Sequence, residues 1–220
     1  MLDLAALLLW YNREVSRYVI GIDEAGRGAL AGPVCVGAVL MPKDFDWEEA
    51  FAAVTRYGAP RLRDSKKLSA QQRDTLYEYI TEHGRLQHAA SFVDARVIDA
   101  IGIVNAAHEA AALALARLDI SPRRVEVLLD AGLRAPSKWE QSAHVRGDET
   151  FPVIAFASIV AKVSRDRLME DFSEVYAPYR FETHKGYGTL AHRRAIARDG
   201  LSEIHRASFC RSLRIGPKSV

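Results

Sequence analysis

The most constraining feature of this chain is an apolar stretch that ends abruptly on charge. Residues 18–22 read Tyr-Val-Ile-Gly-Ile, and Asp23 and Glu24 follow at once, just before Gly26-Arg27-Gly28. Such a short apolar run predicts a buried strand, which here would carry two carboxylates to the edge of a sheet. Buried charges are costly unless they are paired or bind a metal. The glycines let backbone N–H groups approach a ligand, and the planar guanidinium of Arg27 matches a phosphate. The segment therefore places acids for a cation beside donors for an anion.

A second apolar run repeats this pattern further along the chain. Residues 125–129 end on Asp130 and turn into Ala131-Gly132, and Asp148 precedes a later apolar stretch. Two strands of one sheet that end on acids can bring those acids together at one edge. Oxygen ligands without a cysteine or a helical His pair favour Mg²⁺ or Mn²⁺ over zinc. Two such ions, about 3.5–4 Å apart, suit phosphodiester hydrolysis. Taken singly, Asp130 and Asp148 also fit an ordinary turn or surface acid.

The adjacent position of the first two acids leaves one question open. Neighbouring residues of a strand point to opposite faces. Asp23 and Glu24 can therefore serve one site only if the strand ends or twists between them, which the nearby glycines permit. We expect Asp23 to be the inner ligand and Glu24 the more peripheral one.

Further candidates for substrate binding lie on a predicted helix and in three loops. Ser158, Lys162 and Arg165 share one helical face, which could meet a phosphate or the carboxylates, or could be a solvated surface. Tyr187 stands between two glycines and can stack on a sugar or base, or can cover the core. The loop at Lys66 is either a phosphate contact or a lead into a helix. Arg146, close to Asp148, is the last of these candidates.

Composition supports a folded protein with a basic C-terminal part. The chain has 220 residues, of which 49% are hydrophobic, enough for one domain with a small appendage. Residues 176–220 hold nine Lys or Arg and three acids, a net charge of +6, so the remainder carries −4 of the total of +2. A basic segment beside an acidic body suits a protein that grips a polyanion and holds cations. A solvated charged surface is the alternative.

Other sequence features indicate an intracellular protein. Cys35 and Cys210 lie far apart, as expected of two reduced thiols in the cytoplasm. The apolar residues 2–10 are too few to span a membrane and lack the flanks of a signal peptide, so we expect an N-terminal helix. We expect no contact with membranes.

The order of the predicted elements favours an α/β fold. Strands dominate early and helices late, which predicts a mixed sheet flanked by helices with a helical C-terminal extension. We predict strands at residues 18–23, 33–40, 86–93, 125–129 and 151–154. We predict helices at residues 46–53, 69–82, 94–102, 104–118, 155–176 and 189–198. Ser69 with Gln72 predicts a capping box at the second of these helices, and Asp94 predicts a cap at the third.

Together, these segments resemble the bacterial ribonuclease HII family. The resemblance rests on residues 23–28, 64–68 and 158–166, on Asp130 and Asp148, and on residues 184–189, in this order. It covers residues 18–206, and the ordered set is highly specific. It implies a ribonuclease H-like fold, with a catalytic domain at 1–175 and a basic segment at 176–220 that aids substrate binding.

The resemblance also implies an activity and roles for residues. The protein would be a monomeric endonuclease that cuts RNA in RNA–DNA hybrids and cuts at single ribonucleotides in DNA, with Mn²⁺ or Mg²⁺ as cofactor. The family's catalytic, metal-holding acids correspond to Asp23, Glu24, Asp130 and Asp148. Its Gly-Arg-Gly segment, which senses the ribose 2′-hydroxyl and a flanking phosphate, corresponds to residues 26–28, and its junction-sensing tyrosine corresponds to Tyr187.

Two departures and two alternatives accompany the resemblance. Phe156 stands where a small residue is expected, and Asp130-Ala131-Gly132 is an altered turn. A metal-dependent DNA nuclease or integrase of the same fold would cut DNA without ribonucleotides. A non-catalytic hybrid-binding module would be expected to lose at least one of the four acids, and all four are present.

Overall fold

A five-stranded mixed sheet forms the centre of the molecule. The computed structural model describes residues 17–54 and 68–214. The strands lie in the order β3-β2-β1-β4-β5; β1 is antiparallel to β2 and β2 to β3, whereas β4 is parallel to β1 and to β5. Their bounds are Tyr18–Ala25 (β1), Val34–Pro42 (β2), Gln87–Val93 (β3), Val125–Asp130 (β4) and Glu140–His144 (β5). The predicted mixed sheet is therefore confirmed.

Helices cover both faces of the sheet and build the C-terminal part. They are Trp47–Val54 (α1), Ala70–Glu82 (α2), Ala95–Ile101 (α3), Ile103–Leu115 (α4), Pro152–Val175 (α5), Phe181–His184 (α6), Leu190–Asp199 (α7) and Ala207–Cys210 (α8). Alanines of α4 pack on one face with Ile20, Ile22 and Val127. The first half of α5 packs on the other face, together with α1 and α2. Within the described ranges, no helix is both long and apolar enough to span a bilayer.

The long helix α5 approaches strands β1 and β2 unusually closely. A Cβ atom on Gly37 of β2 would lie 2.2 Å from the carbonyl oxygen of Ala157. A Cβ on Gly21 of β1 would lie equally close to the carbonyl oxygen of Val153. Because both contacts are to backbone, only glycine allows this approach. It brings the first half of α5, which carries Ser158 and Lys162, against β1 and β2.

Local sequence signals explain where α2 and α3 begin. Ser69 and Gln72 form the expected capping box at α2: the Gln72 N–H donates to Ser69 Oγ, and the Ser69 N–H donates to Gln72 Oε1. The Asp94 carboxylate accepts from the Val97 N–H at the start of α3. Both predicted caps are confirmed.

Two strand assignments differ from the prediction, and the short helices α6 and α8 were not predicted. Residues 151–154 do not form a strand, because Pro152 occupies the first position of α5, where its missing N–H costs no hydrogen bond. Strand β5 was not predicted; its sequence, Glu-Gln-Ser-Ala-His, lacks the alternation of apolar residues that marks a strand. The expected helix at residues 2–10 lies outside the described residues.

Residues 176–214 pack against the loop between β1 and β2 and form hydrogen bonds with it. Ala31 of that loop and Met169 of α5 share an apolar cluster with Phe181, Ile196 and others from residues 176–214. Backbone hydrogen bonds join the two segments: the Leu30 N–H donates to Gly186 O, and the Gly32 N–H donates to Ile204 O. The segment therefore packs directly against residues that follow Gly26-Arg27-Gly28. Cys35 and Cys210 are both buried free thiols, as expected.

Candidate active site

The parallel strands β1 and β4 carry acids to the same edge of the sheet. β1 and β4 run parallel, with Ile22 paired to Leu129, so Asp23 and Asp130 each lie one residue beyond the last pair of that register. Asp23 is only 7% exposed. Its carboxylate accepts a hydrogen bond from the Glu24 N–H at 2.8 Å, and it is also hydrogen-bonded to the Ser158 hydroxyl of α5. The predicted meeting of the two strand ends is present in the structure.

Burial and neighbouring negative charge favour the protonated form of Asp23. Desolvation raises the pKa of its carboxyl from 3.8 to about 8, the negative charges of Glu24 and Asp130 add to the increase, and the Ser158 hydrogen bond opposes it. A bound cation would offset the unfavourable free energy of ionising a buried acid with two acidic neighbours. Strongly perturbed acids of this kind are typical of functional sites.

Glu24 reaches the same neighbourhood from the next position of the strand. One of its oxygens, Oε1, accepts from Arg27 Nη1 at 3.2 Å, while Oε2 is buried and has no hydrogen-bond partner within the described part of the chain. Burial raises the pKa of Glu24, Arg27 lowers it, and the charge of Asp130 raises it further. Asp130 therefore acts electrostatically on both Asp23 and Glu24, which is what a shared site requires.

The fourth acid lies next to Asp130 through a backbone contact. The Gly147 N–H donates to Asp130 Oδ1 at 2.8 Å, and Gly147 opens the short 3₁₀ turn that contains Asp148. Asp148 is 3% exposed. Arg146 precedes the turn in the left-handed region, with φ 55°, and its side chain is exposed. In residues 17–54 and 68–214, no three His, Cys, Asp or Glu side chains stand close enough to hold a metal ion as placed. A bound cation would therefore have to draw the four acids closer together.

A cleft beside the acids gathers most of the predicted substrate-binding residues. It has a volume of about 360 Å³, and its lining includes Glu24, Gly26, Arg27, Gly28, Ser158, Lys162 and Tyr187. The Arg27 side chain lies against the turn after β4, where a Cβ on Gly132 would come within 2.7 Å of Nη1. The altered turn Asp130-Ala131-Gly132 thus leaves room for the arginine. Lys66 lies outside the described residues.

The polar stripe of α5 divides into two parts. Ser158 and Lys162 face the cleft, and Lys162 pairs with Asp166 at 2.7 Å and lies 5.9 Å from the centre of the Tyr187 ring. Arg165 differs from the expectation of a substrate contact, since it is 1% exposed. Its guanidinium donates to the carbonyl oxygens of Pro33 at 2.9 Å, Ala31 at 3.1 Å and Lys185 at 2.8 Å. Arg165 holds the loops behind the cleft together.

Some residues of the site were not found from the sequence. Arg73 of α2 lines the cleft. Arg206 is fully buried and donates to the carbonyl oxygens of Gly32 and Arg27, so it supports the Gly-Arg-Gly segment from below. His192 and His205 are buried next to the loop of Tyr187. An excess of arginine near the C-terminus was the only sequence signal for any of these, and it did not distinguish a buried side chain from a surface one.

Comparisons with known proteins agree with this geometry. Residues 20–212 match the family model of ribonuclease HII. The chain belongs to the ribonuclease HII family. Ribonuclease HII of Acholeplasma laidlawii is 43% identical over 192 residues, which cover 87% of each chain. Ribonuclease HII of Caldicellulosiruptor saccharolyticus is 40% identical over 202 residues, 91% of each chain.

A solved structure confirms the fold class. The crystal structure of ribonuclease H2 from Pyrococcus horikoshii has a TM-score of 0.70 and 23% identity; the match covers 90% of this chain and 97% of that one. The predicted ribonuclease H-like fold with a helical C-terminal part is thereby confirmed. As a ribonuclease HII, the protein is a metal-dependent ribonuclease, so the hypothesis of a non-catalytic binding module is set aside.

Proposed function

We propose that this ribonuclease hydrolyses the RNA strand of RNA–DNA hybrids and cuts 5′ to single ribonucleotides embedded in duplex DNA. The products would carry 5′-phosphate and 3′-hydroxyl ends. The observation that carries the proposal is the cleft that places Glu24, which interacts electrostatically with Asp23 and Asp130, beside Gly26-Arg27-Gly28 and Tyr187. Such activity would remove ribonucleotides left in DNA after replication.

The acids fit Mn²⁺ or Mg²⁺. Asp23, Glu24, Asp130 and Asp148 offer only oxygen donors, and the buried Glu24 Oε2 has no hydrogen-bond partner among the described residues. We propose that Asp23, Glu24 and Asp130 hold metal and that Asp148 completes a second site. Two bound ions would supply the activation of water for in-line attack and the stabilisation of the leaving oxygen.

The other residues of the cleft would bind and orient the substrate. The Ser158 hydroxyl holds the Asp23 carboxylate in a fixed orientation. Backbone N–H groups of residues 26–28 would face a phosphate and the ribose 2′-hydroxyl, the feature that distinguishes RNA from DNA at one nucleotide. Tyr187, 36% exposed at the cleft, would pack on the sugar at the RNA–DNA junction.

More distant cations would strengthen binding without reading the ribose. Lys162 borders the cleft, and Arg146 is exposed beside the turn of Asp148. Both would contact phosphates of the duplex, as would Lys66. Such contacts raise affinity for any nucleic acid, and they weaken as salt increases. We further propose that the enzyme acts as a monomer in the cytoplasm.

The test is cleavage of a labelled DNA duplex that contains one ribonucleotide, with Mn²⁺ or Mg²⁺. We expect a single cut 5′ to the ribonucleotide and none in the all-DNA duplex. Asp130→Asn should abolish cutting while it preserves binding to an RNA–DNA hybrid. Asp119→Asn, at an exposed turn, is the matched control and should cut normally. Cutting of the all-DNA duplex would instead favour a DNA nuclease, and normal cutting by Asp130→Asn would show that Asp130 is misassigned.

A further inference from the structure

The backbone of Tyr187 is held in place by a buried histidine. The Tyr187 carbonyl oxygen accepts two hydrogen bonds, one from the Thr189 N–H at 2.8 Å and one from His192 Nδ1 at 3.0 Å. The Tyr187 N–H donates to the carbonyl of His184 at 2.9 Å. Because its backbone is bonded on both sides, the direction in which the tyrosine ring leaves the loop is set by these contacts.

A second histidine determines how His192 is protonated. The Ser202 N–H lies 2.9 Å from His205 Nδ1, and a backbone N–H can only donate, so Nδ1 of His205 is an acceptor. A neutral His205 then carries its proton on Nε2, which lies 3.0 Å from His192 Nε2. His192 Nε2 must accept this bond, and its own proton is therefore on Nδ1, directed at the Tyr187 carbonyl.

The opposite end of the chain of hydrogen bonds gives the same assignment. A carbonyl oxygen can only accept, so the bond to Tyr187 also requires the proton on Nδ1 of His192. Burial supports two neutral rings: His192 is fully buried and His205 is 5% exposed, and desolvation lowers the pKa of His192 to about 4 and of His205 to about 3. We call this series, from Ser202 through His205 and His192 to Tyr187, the histidine relay.

The ring of Tyr187 projects from this support into the cleft. It lies 5.4 Å from the guanidinium carbon of Arg165 and 5.9 Å from Lys162 Nζ. On its other side the loop is bonded to the segment after Gly28, through the Leu30 N–H and the carbonyl of Gly186 at 2.9 Å. The histidine relay therefore fixes the position of the Tyr187 ring relative to the acids and to the Gly-Arg-Gly segment.

We propose that His192, oriented by His205, is a positioning residue for Tyr187 in recognition of the ribonucleotide junction. The inference rests on the proposed function, in which Tyr187 contacts the substrate. His192 itself touches no substrate, because it is fully buried. Its effect on the reaction is transmitted by the hydrogen bond to the Tyr187 carbonyl.

Two substitutions of His192 separate positioning from packing. The amide nitrogen of asparagine lies as many bonds from Cα as Nδ1 of histidine, whereas that of glutamine corresponds to Nε2. His192→Asn therefore keeps the donor to Tyr187, and His192→Gln keeps only the contact with His205. Glutamine also fills more of the imidazole's volume, so a role in packing alone predicts that His192→Gln is the better replacement.

We expect the opposite order in kcat/KM on the duplex with one ribonucleotide. His192→Asn should stay within about threefold of wild type, and His192→Gln should lose about tenfold, the equivalent of one hydrogen bond of ordinary net strength. His205→Gln, which keeps a donor towards His192, should likewise exceed His205→Asn, and this pair serves if a His192 variant does not fold. Equal activities or the reverse order within a pair would overturn the inference.

A double-mutant cycle with Tyr187→Ala completes the test. In the Tyr187→Ala background, which lacks the ring, His192→Gln should lower kcat/KM by less than about twofold. An effect through general stability would instead lower kcat/KM by the same factor in both backgrounds. If Tyr187→Ala alone is impaired, and the loss of kcat/KM in the double variant equals the product of the losses in the two single variants, the inference fails and the proposed role of Tyr187 stands. If Tyr187→Ala cuts as well as wild type, the role of Tyr187 fails as well, because a residue that the reaction does not use needs no positioning.

Discussion

Asparagine at position 23 should stabilise the protein when no metal is bound. The pKa of Asp23 is 3.8 in the unfolded chain and about 8 in the folded protein, because the carboxyl is buried among other acids. Well below pH 3.8 both states hold the proton, and Asp23 has no effect on stability through ionisation. As the pH rises towards 8, the unfolded state ionises and the folded state does not. Each pH unit then costs the folded protein about 1.4 kcal/mol.

The total cost approaches about 6 kcal/mol at pH 8 if the whole increase in pKa is realised. Asp23→Asn removes the ionisation and keeps an oxygen for the Glu24 N–H and for Ser158. We therefore expect the variant to be more stable than wild type by about 3–6 kcal/mol at pH 8, and by little at pH 4. The gain in stability would come with a loss of activity, as is common for groups held at active sites.

Urea denaturation with a chelator, from pH 4 to pH 8, measures this difference directly. Asp119→Asn, an exposed control, should follow the wild type at every pH. The reasoning would be refuted if Asp23→Asn were no more stable than wild type at pH 8, or if its advantage did not grow with pH. Either result would mean that Asp23 is not held as a neutral, desolvated acid.

Other predictions follow from the same contacts. In the proposed site Mn²⁺ would displace the proton of Asp23, so calorimetry should show the affinity rising up to about tenfold per pH unit between pH 6 and pH 8, and Asp23→Asn should flatten this slope. Gly37→Ala should cost about 3 kcal/mol in denaturant titrations, since its Cβ would meet the Ala157 carbonyl, while Gly84→Ala, which meets nothing within 4 Å, should change stability little. Burial lowers the pKa of His205 to about 3, so its own contribution to stability falls as the pH drops from 6.5 towards 3, opposite to the contribution of Asp23. In urea titrations His205→Gln should therefore become more stable relative to wild type as the pH drops, and a constant difference would contradict this.

The parts of the fold that the sequence predicted are those with strong local signals. β1 and β4 are apolar runs that end on acids, and their acids do meet at one edge of the sheet. The capping box at Ser69 marked the start of α2 correctly. By contrast, β5 is a polar edge strand held by its pairing with β4, so its short sequence carries no periodicity. Pro152 could have identified residues 151–154 as a helix start, but their apolar character dominated the prediction.

The supporting residues of the site could not be predicted because long-range packing decides their burial. Arg165 and Arg206 are basic residues of a kind that is normally exposed, yet both are buried and donate to carbonyl groups of the loop between β1 and β2. Nothing in the neighbouring sequence distinguishes them from surface arginines. The same holds for His192 and His205, whose contact joins α7 to a later turn.

The most direct test of the account is to locate the metal. Crystals of the protein with Mn²⁺ and a duplex containing one ribonucleotide, with cutting blocked by a substitution at Asp148, would show the ions by anomalous diffraction. The account predicts a Mn²⁺ peak bonded to Asp23, Glu24 and Asp130, with Tyr187 against the ribose at the junction. A Mn²⁺ peak that touches none of these three acids would contradict it.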